Sequence, residues 1–220
     1  MEITIDELYD LYLDINTREE QGDDAKQNRN DNIYEATSYF FLERLFKAFP
    51  FEANDHMADF GCGKGRVLFM AAKYSCGNVT GYENNAARFR ILQSNAVRYR
   101  QRHGTSTNFI LRNEDAQSVA IDDSINKFFF FEPFGIKIFA QVIQNIQKSI
   151  KRNPREAAIL MYLPEETTLS HLDAVKGFER EIHVDASLFY KDDALINMRY
   201  FAIYSNYSMI DIVDPNFLIY

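Results

Sequence analysis

The chain has 220 residues, 46% hydrophobic and 15% aromatic, which suits one domain with a sizeable core and excludes a wholly disordered chain. Its formal charge of -8 works against a large interface with a nucleic-acid backbone, where clustered Lys and Arg must release counterions. Two cysteines, Cys62 and Cys76, and four histidines without ligand spacing suggest neither a disulfide framework nor a metal site, and they fit a reducing, cytoplasmic compartment.

The first segment, "MEITIDELYDLYLDINTREE", carries acids where a signal peptide carries basic residues, and no apolar run approaches the length of a membrane span. A soluble protein with no membrane partner is expected. Thr4 is followed three residues later by Glu7, the spacing of a capping box, and Leu8, Tyr12 and Ile15 then share one helical face. Residues 17–31 hold no large apolar side chain, so they read as a mobile linker. Residues 1–33 thus form an N-terminal helix and linker, a possible lid over the remainder, 34–220. In "IYEATSYFFLERLFKAF" helical periodicity returns through Phe40, Phe41, Leu45 and Phe46.

From about residue 55 strand-like and helix-like runs alternate, as in a sheet fed by crossover helices. Strands are expected at 56–60, 78–82, 107–111, 127–131 and 157–163, with helices over 64–75, 85–102 and 136–152. The first of these helices is expected to end on Gly77 in a left-handed conformation. The run Phe128 to Phe131 reads as a strand buried on both faces, hence as core. Two last strands, in "GFEREIHV" and "RYFAIYSN", look like an antiparallel pair closing the sheet.

Between the first strand and first crossover helix, Asp59 precedes Gly61, Gly63 and Gly65. Glycines there let the backbone turn sharply and approach a ligand, and the helix start offers free N–H groups to an anion. A dinucleotide fingerprint needs glycine where Arg66 stands, and a P-loop needs Lys-Ser/Thr after the glycine where Arg66-Val67 follow. Nicotinamide and nucleotide readings are therefore weaker.

The stretch from Asp59 to Gly65 resembles the first motif, acid-x-Gly-x-Gly-x-Gly, of the class I S-adenosylmethionine-dependent methyltransferases, and later motifs follow in order from Tyr34 onward. The resemblance implies an α/β fold: a doubly wound, mostly parallel seven-stranded sheet with helices on both faces and an antiparallel strand near the C-terminus. It also implies S-adenosyl-L-methionine as cofactor, with the methionyl part on the glycine loop. Glu83 in "VTGYENN" matches the acid that pairs with two ribose hydroxyls, a task suited to two acceptor oxygens. Asp115 matches the acid at the adenine amino group and Ala116 the backbone donor to the ring, with Glu114 as the rival acid.

"FFFFEPFG" stands where many amino-directed members carry Asn or Asp, Pro, Pro and an aromatic, so Glu132 and Phe134 are the candidate catalytic residues. The single proline departs from that pattern, and Glu132 reads equally as a surface turn acid. "YEATSYFF" resembles the approach segment of seven-strand protein lysine methyltransferases, which brings in Tyr34 and Thr37 as cofactor neighbours; an ordinary helix start with Thr37 or Ser38 as N-cap is the alternative. Five arginines, Arg88, Arg90, Arg98, Arg100 and Arg102, spread around nearly the whole helix at about 100° per residue, which reads as a mixed surface rather than a nucleic-acid patch. The expected acceptor is a nitrogen of a small molecule or protein side chain. A nucleic-acid N-methyltransferase and a catalytically idle cofactor-binding scaffold or sensor are the alternatives.

Overall fold

A computed structural model describes residues 3–18, 34–131, 134–185 and 200–208. Seven strands, β1 (His56–Phe60), β2 (Asn78–Tyr82), β3 (Asn108–Arg112), β4 (Lys127–Phe131), β5 (Ala158–Tyr162), β6 (Glu179–Asp185) and β7 (Tyr200–Ser205), form one sheet in the order β3-β2-β1-β4-β5-β7-β6. The first five pair in parallel, and β7 runs antiparallel to both β5 and β6. The expected doubly wound sheet with an antiparallel end is therefore present; the limits of the first five strands are shifted by no more than a residue, and β6 begins two residues into the stretch expected for it.

Among the described residues there are six α-helices: α1 (Ile5–Leu13), α2 (Tyr39–Ala48), α3 (Arg66–Lys73), α4 (Ala86–His103), α5 (Ile136–Arg152) and α6 (Glu166–Asp173). Alternation along the strands divides the core in two. Met57, Val79, Phe129 and Leu160 meet the side of α1 to α4, while Ala58, Phe128, Phe130 and Ile159 meet the side of α5 and α6. The four-phenylalanine run is core on both faces, as a strand in a parallel sheet requires. Helix α5 buries Phe139, Val142, Ile143 and Ile146 at i, i+3, i+4 and i+7, the stripe that seats an amphipathic helix on a sheet. No helix among the described residues is long and apolar enough to cross a membrane.

Four expectations need correction. Helix α1 has its predicted capping box, with Glu7 N donating to Thr4 Oγ1 and Thr4 N to Glu7 Oε2. Of its predicted apolar face, however, only Ile15 is buried; Leu8 and Tyr12 are more than half exposed, and Asp10 and Leu13 lie inside. The helix is turned by the hydrogen bonds of Asp10, described below, rather than by its apolar stripe. In α2, Phe40 is exposed, with the Arg44 guanidinium 4.2 Å above its ring. Helix α3 stops at Lys73, and the left-handed residue after it is Ser75 (φ 67), not Gly77. Gly77 is instead a close-approach position, since a Cβ there would lie 1.8 Å from the Ala53 carbonyl oxygen. Helix α6 was not anticipated, because it buries only Leu169 and Leu172, too short an apolar stripe to register in the sequence. Most of the expected linker 17–31 lies outside the described residues, but Thr17 is fully buried.

Candidate functional site

β1 and β4 are neighbours whose connections leave in opposite directions, β1 toward β2 and β4 toward β5. At such a switch point the loops beyond the carboxyl ends of the strands diverge and leave a crevice. The loop Gly61–Gly65 sits at that end of β1. All three glycines are left-handed, with φ of 79, 56 and 93, a conformation side chains resist. The N–H groups of Gly61 and Cys62 both donate to the Tyr82 carbonyl at 2.9 and 3.0 Å, and Gly65 N donates to the Cys62 carbonyl at 2.8 Å.

Glu83 follows β2 directly and is buried. Its Oε2 accepts from Gly63 N at 2.9 Å and its Oε1 from Asn85 N at 2.7 Å. One carboxylate thus ties the glycine loop to the start of α4, where the Asn85 side chain caps Ala87 N and Arg88 N. The Asn113 side chain donates to the Glu83 carbonyl at 2.7 Å, bringing the segment after β3 alongside. Asp115 in that segment is exposed and caps Gln117 N at 2.9 Å, while Ala116 is buried. Because β1, β2 and β3 end level, with Phe60 opposite Tyr82 and Tyr82 opposite Arg112, the loop, Glu83 and Asp115 line one edge of the sheet.

Asp59 lies within β1 opposite Gly81 and is buried. Burial first, and the Glu83 charge second, push its carboxyl up to about 8. A raised carboxylate stabilises the fold while protonated, so this contribution is full below its ordinary 3.8 and is lost as pH rises through about 8. Asp59→Asn is therefore expected to narrow the difference in denaturant midpoint between about pH 5 and pH 8. An unchanged difference assigns that pH dependence elsewhere.

The remaining sequence candidates divide. The Tyr34 ring covers Gly63, where an added Cβ would come within 2.5 Å of Tyr34 Cε2. Thr37 is buried, and its carbonyl accepts from Arg66 Nη1 at 3.0 Å; the N-cap of α2 is Ser38, without a side-chain capping bond. Phe134 stands edge-on to Phe130 with centroids 6.5 Å apart, beyond the end of β4. Glu132 lies outside the described residues, as does Pro133. Four of the five arginines of α4 have contacts within the molecule: Arg98 Nε donates to the Asp14 carbonyl, Arg102 Nε to the Tyr12 carbonyl and Arg100 Nη2 to the Phe109 carbonyl, and Arg88 lies 5.3 Å over Tyr34, while Arg90 is exposed.

Sequence reasoning missed a buried polar network beside the loop. Arg66, read from sequence only as an absent glycine, is buried, with Nη1 bound to Asp6 Oδ2 at 2.6 Å, Nε to Thr17 Oγ1 at 2.8 Å, and its guanidinium 4.2 Å over the Tyr39 ring. Asp10 accepts from Thr17 N and Oγ1, both at 2.7 Å, and from Tyr39 Oη at 2.5 Å. A lone arginine opening the otherwise apolar run "RVLFMAA" was the one available signal, since a charge at a core-facing helix start needs buried partners.

Among solved structures, an rRNA methylase from Streptococcus thermophilus is similar to this chain with a TM-score of 0.50 at 14% identity, over 80% of this chain and 99% of that one. A TehB-like SAM-dependent methyltransferase from Corynebacterium glutamicum gives 0.53 at 12% identity, over 76% and 88%. A dimethyladenosine transferase from Plasmodium falciparum gives 0.52 at 10% identity, over 85% of this chain and 66% of that one. No protein-family profile matches the sequence, and no curated protein matches it. At these identities the likeness is one of fold: the chain has the seven-stranded, Rossmann-like α/β fold found in class I methyltransferases.

Proposed function

We propose that this chain is an S-adenosylmethionine-dependent methyltransferase acting on a nitrogen of a small molecule or a protein side chain. The observation that carries this reading is Glu83, a buried carboxylate at the carboxyl end of β2 that fixes the glycine loop through Gly63 N, the loop that stands at the switch point of the sheet. The residues fit the cofactor. The loop's three glycines are left-handed, added Cβ atoms at Gly63 and Gly65 would strike the Tyr34 and Leu92 side chains packed against it at 2.5 and 2.3 Å, and each carboxylate oxygen of Glu83 has acceptor capacity beyond one backbone N–H. In this reading Asp115 and Ala116 hold the adenine, and Asp59 and the loop the methionyl end, with Tyr34 and Thr37 beside it.

Bound there, S-adenosylmethionine supplies an electrophilic methyl group on a sulfonium. The protein's share is positioning and exclusion of water. Phe134 offers a ring face to a cationic amine, and Glu132 orients it. A formal charge of -8 favours this acceptor class over nucleic acid. Two of the solved proteins above are named for nucleic-acid chemistry, so an RNA substrate belongs in the same acceptor panel.

Calorimetric titration with S-adenosylhomocysteine and with NADH tests the cofactor reading. Micromolar or tighter binding of the first and none of the second is expected; the reverse overturns it. Release of S-adenosylhomocysteine from S-adenosylmethionine with an amine acceptor then separates an enzyme from an idle scaffold, which would bind without turnover.

A further inference from the structure

Three consecutive residues of the N-terminal segment, Asn16, Thr17 and Arg18, are each held by a residue of the glycine loop or by one touching it. Asn95, wholly buried in the middle of α4, makes the first link. Its Nδ2 donates to the Lys64 carbonyl inside the loop and to the Asn16 carbonyl, both at 2.9 Å. Its Oδ1 accepts from Asn16 N at 2.9 Å and from Arg98 Nη2 at 2.5 Å. These four bonds use both donors and both acceptor positions of the amide. Thr17 is bound through its hydroxyl by Arg66 and through its carbonyl by Tyr34 Oη at 2.9 Å. The Arg18 carbonyl accepts from Lys64 Nζ.

We propose that Asn95 is a positioning residue for the glycine loop, clamping residues 16–18 across it, so that ligand affinity at Gly61–Gly65 depends on a segment outside the sheet. The physical need is plain. A loop with three glycines in five positions has more backbone freedom to lose than one of the same length without them. A loop already held in its binding conformation loses less on binding, and that difference appears as affinity. Asn95 grips the peptide between Gly63 and Gly65 from below, while Glu83 grips Gly63 N. Together they fix both polar sides of the turn. The inference rests on the reading that the loop holds S-adenosylmethionine only in its affinity arm.

The test compares the full-length protein with Asn95→Ala, Thr17→Val and, as a control in α5 on the opposite face of the sheet, Ile146→Ala. Hydrogen exchange of the ligand-free proteins reads residues 61–66 directly, and calorimetry reads S-adenosylhomocysteine affinity. Asn95→Ala is expected to speed exchange across 61–66 and to weaken binding roughly tenfold. Thr17→Val keeps the side-chain shape and is expected to act in the same direction. Ile146→Ala lowers the melting temperature without either effect. Unchanged loop exchange in Asn95→Ala overturns the proposal, and so does equal loop exchange in the Ile146→Ala control. If Asn95→Ala does not fold, Thr17→Val decides by the same two readouts. Absence of S-adenosylhomocysteine binding to the parent protein would instead overturn the cofactor reading, leaving the exchange comparison to decide the clamp.

Discussion

Glu83→Ala is expected to weaken S-adenosylhomocysteine binding roughly ten- to a hundredfold, since a hydrogen bond to a charged group contributes about 1.5–3 kcal/mol. Two effects add in the same direction. The acceptors proposed for the ribose hydroxyls are removed, and Gly63 N and Asn85 N lose the carboxylate that receives them. Glu83→Gln should not rescue the loss. A glutamine amide has one acceptor oxygen, so its NH2 group must face one of two backbone N–H donors. Calorimetry of the two variants, with circular dichroism to confirm that both fold, reads this; an affinity within twofold of the parent in either would assign the ribose to another acid.

Gly63→Ala is the second large effect. From sequence the side chain at this position is expected to meet the ligand while sparing the fold; in the structure the first thing a Cβ meets is the Tyr34 ring, at 2.5 Å, with φ already at +56. The left-handed conformation alone costs about 1–2 kcal/mol for a residue with a side chain. Displacement of Tyr34 adds to it, because the ring is seated by its hydroxyl on the Thr17 carbonyl and by Lys64 Nζ 4.9 Å from its centroid. Gly63→Ala is therefore expected to lower both the melting temperature and the affinity, the latter by tenfold or more on the scale of about 1.4 kcal/mol per tenfold. Tyr34→Ala in the same chain should return the steric part of the stability and leave the strain. The double variant is then more stable than the two single losses predict. Additivity within about 0.5 kcal/mol would mean that the ring is not what the new Cβ meets.

The sheet was legible because its signals are local. Phe128 to Phe131 form a strand buried on both faces with no partner needed to say so, and the glycines of 61–65 announce a turn whatever surrounds them. The neighbourhood of the loop was legible for the opposite reason, by the order of acids along the chain rather than by any one of them. What could not be read was polar burial across long sequence separations. Asn95 pairs with Asn16, and Arg66 with Asp6 and Thr17, and nothing in "SNAV" or "GKGRV" names a partner so far away. The same blindness misoriented α1. Of the face shared by Leu8, Tyr12 and Ile15 only Ile15 is buried, and the side of α1 that faces inward carries Leu13 and Asp10, the latter bound to Thr17 and Tyr39.

The strand order also bears on how the chain is made. β7 lies between β5 and β6, antiparallel to both, yet it is synthesised after either of them. Until residues 200–205 leave the ribosome, β5 has no neighbour on that side, and its run Ala-Ile-Leu-Met-Tyr presents an open row of backbone donors and acceptors. An unpaired apolar edge of that kind is a template for pairing with another nascent chain. A chain that stops short of residue 200 thus retains the glycine loop and Glu83 but leaves that edge of β5 open, and it is expected to aggregate more readily than the chain that includes β7.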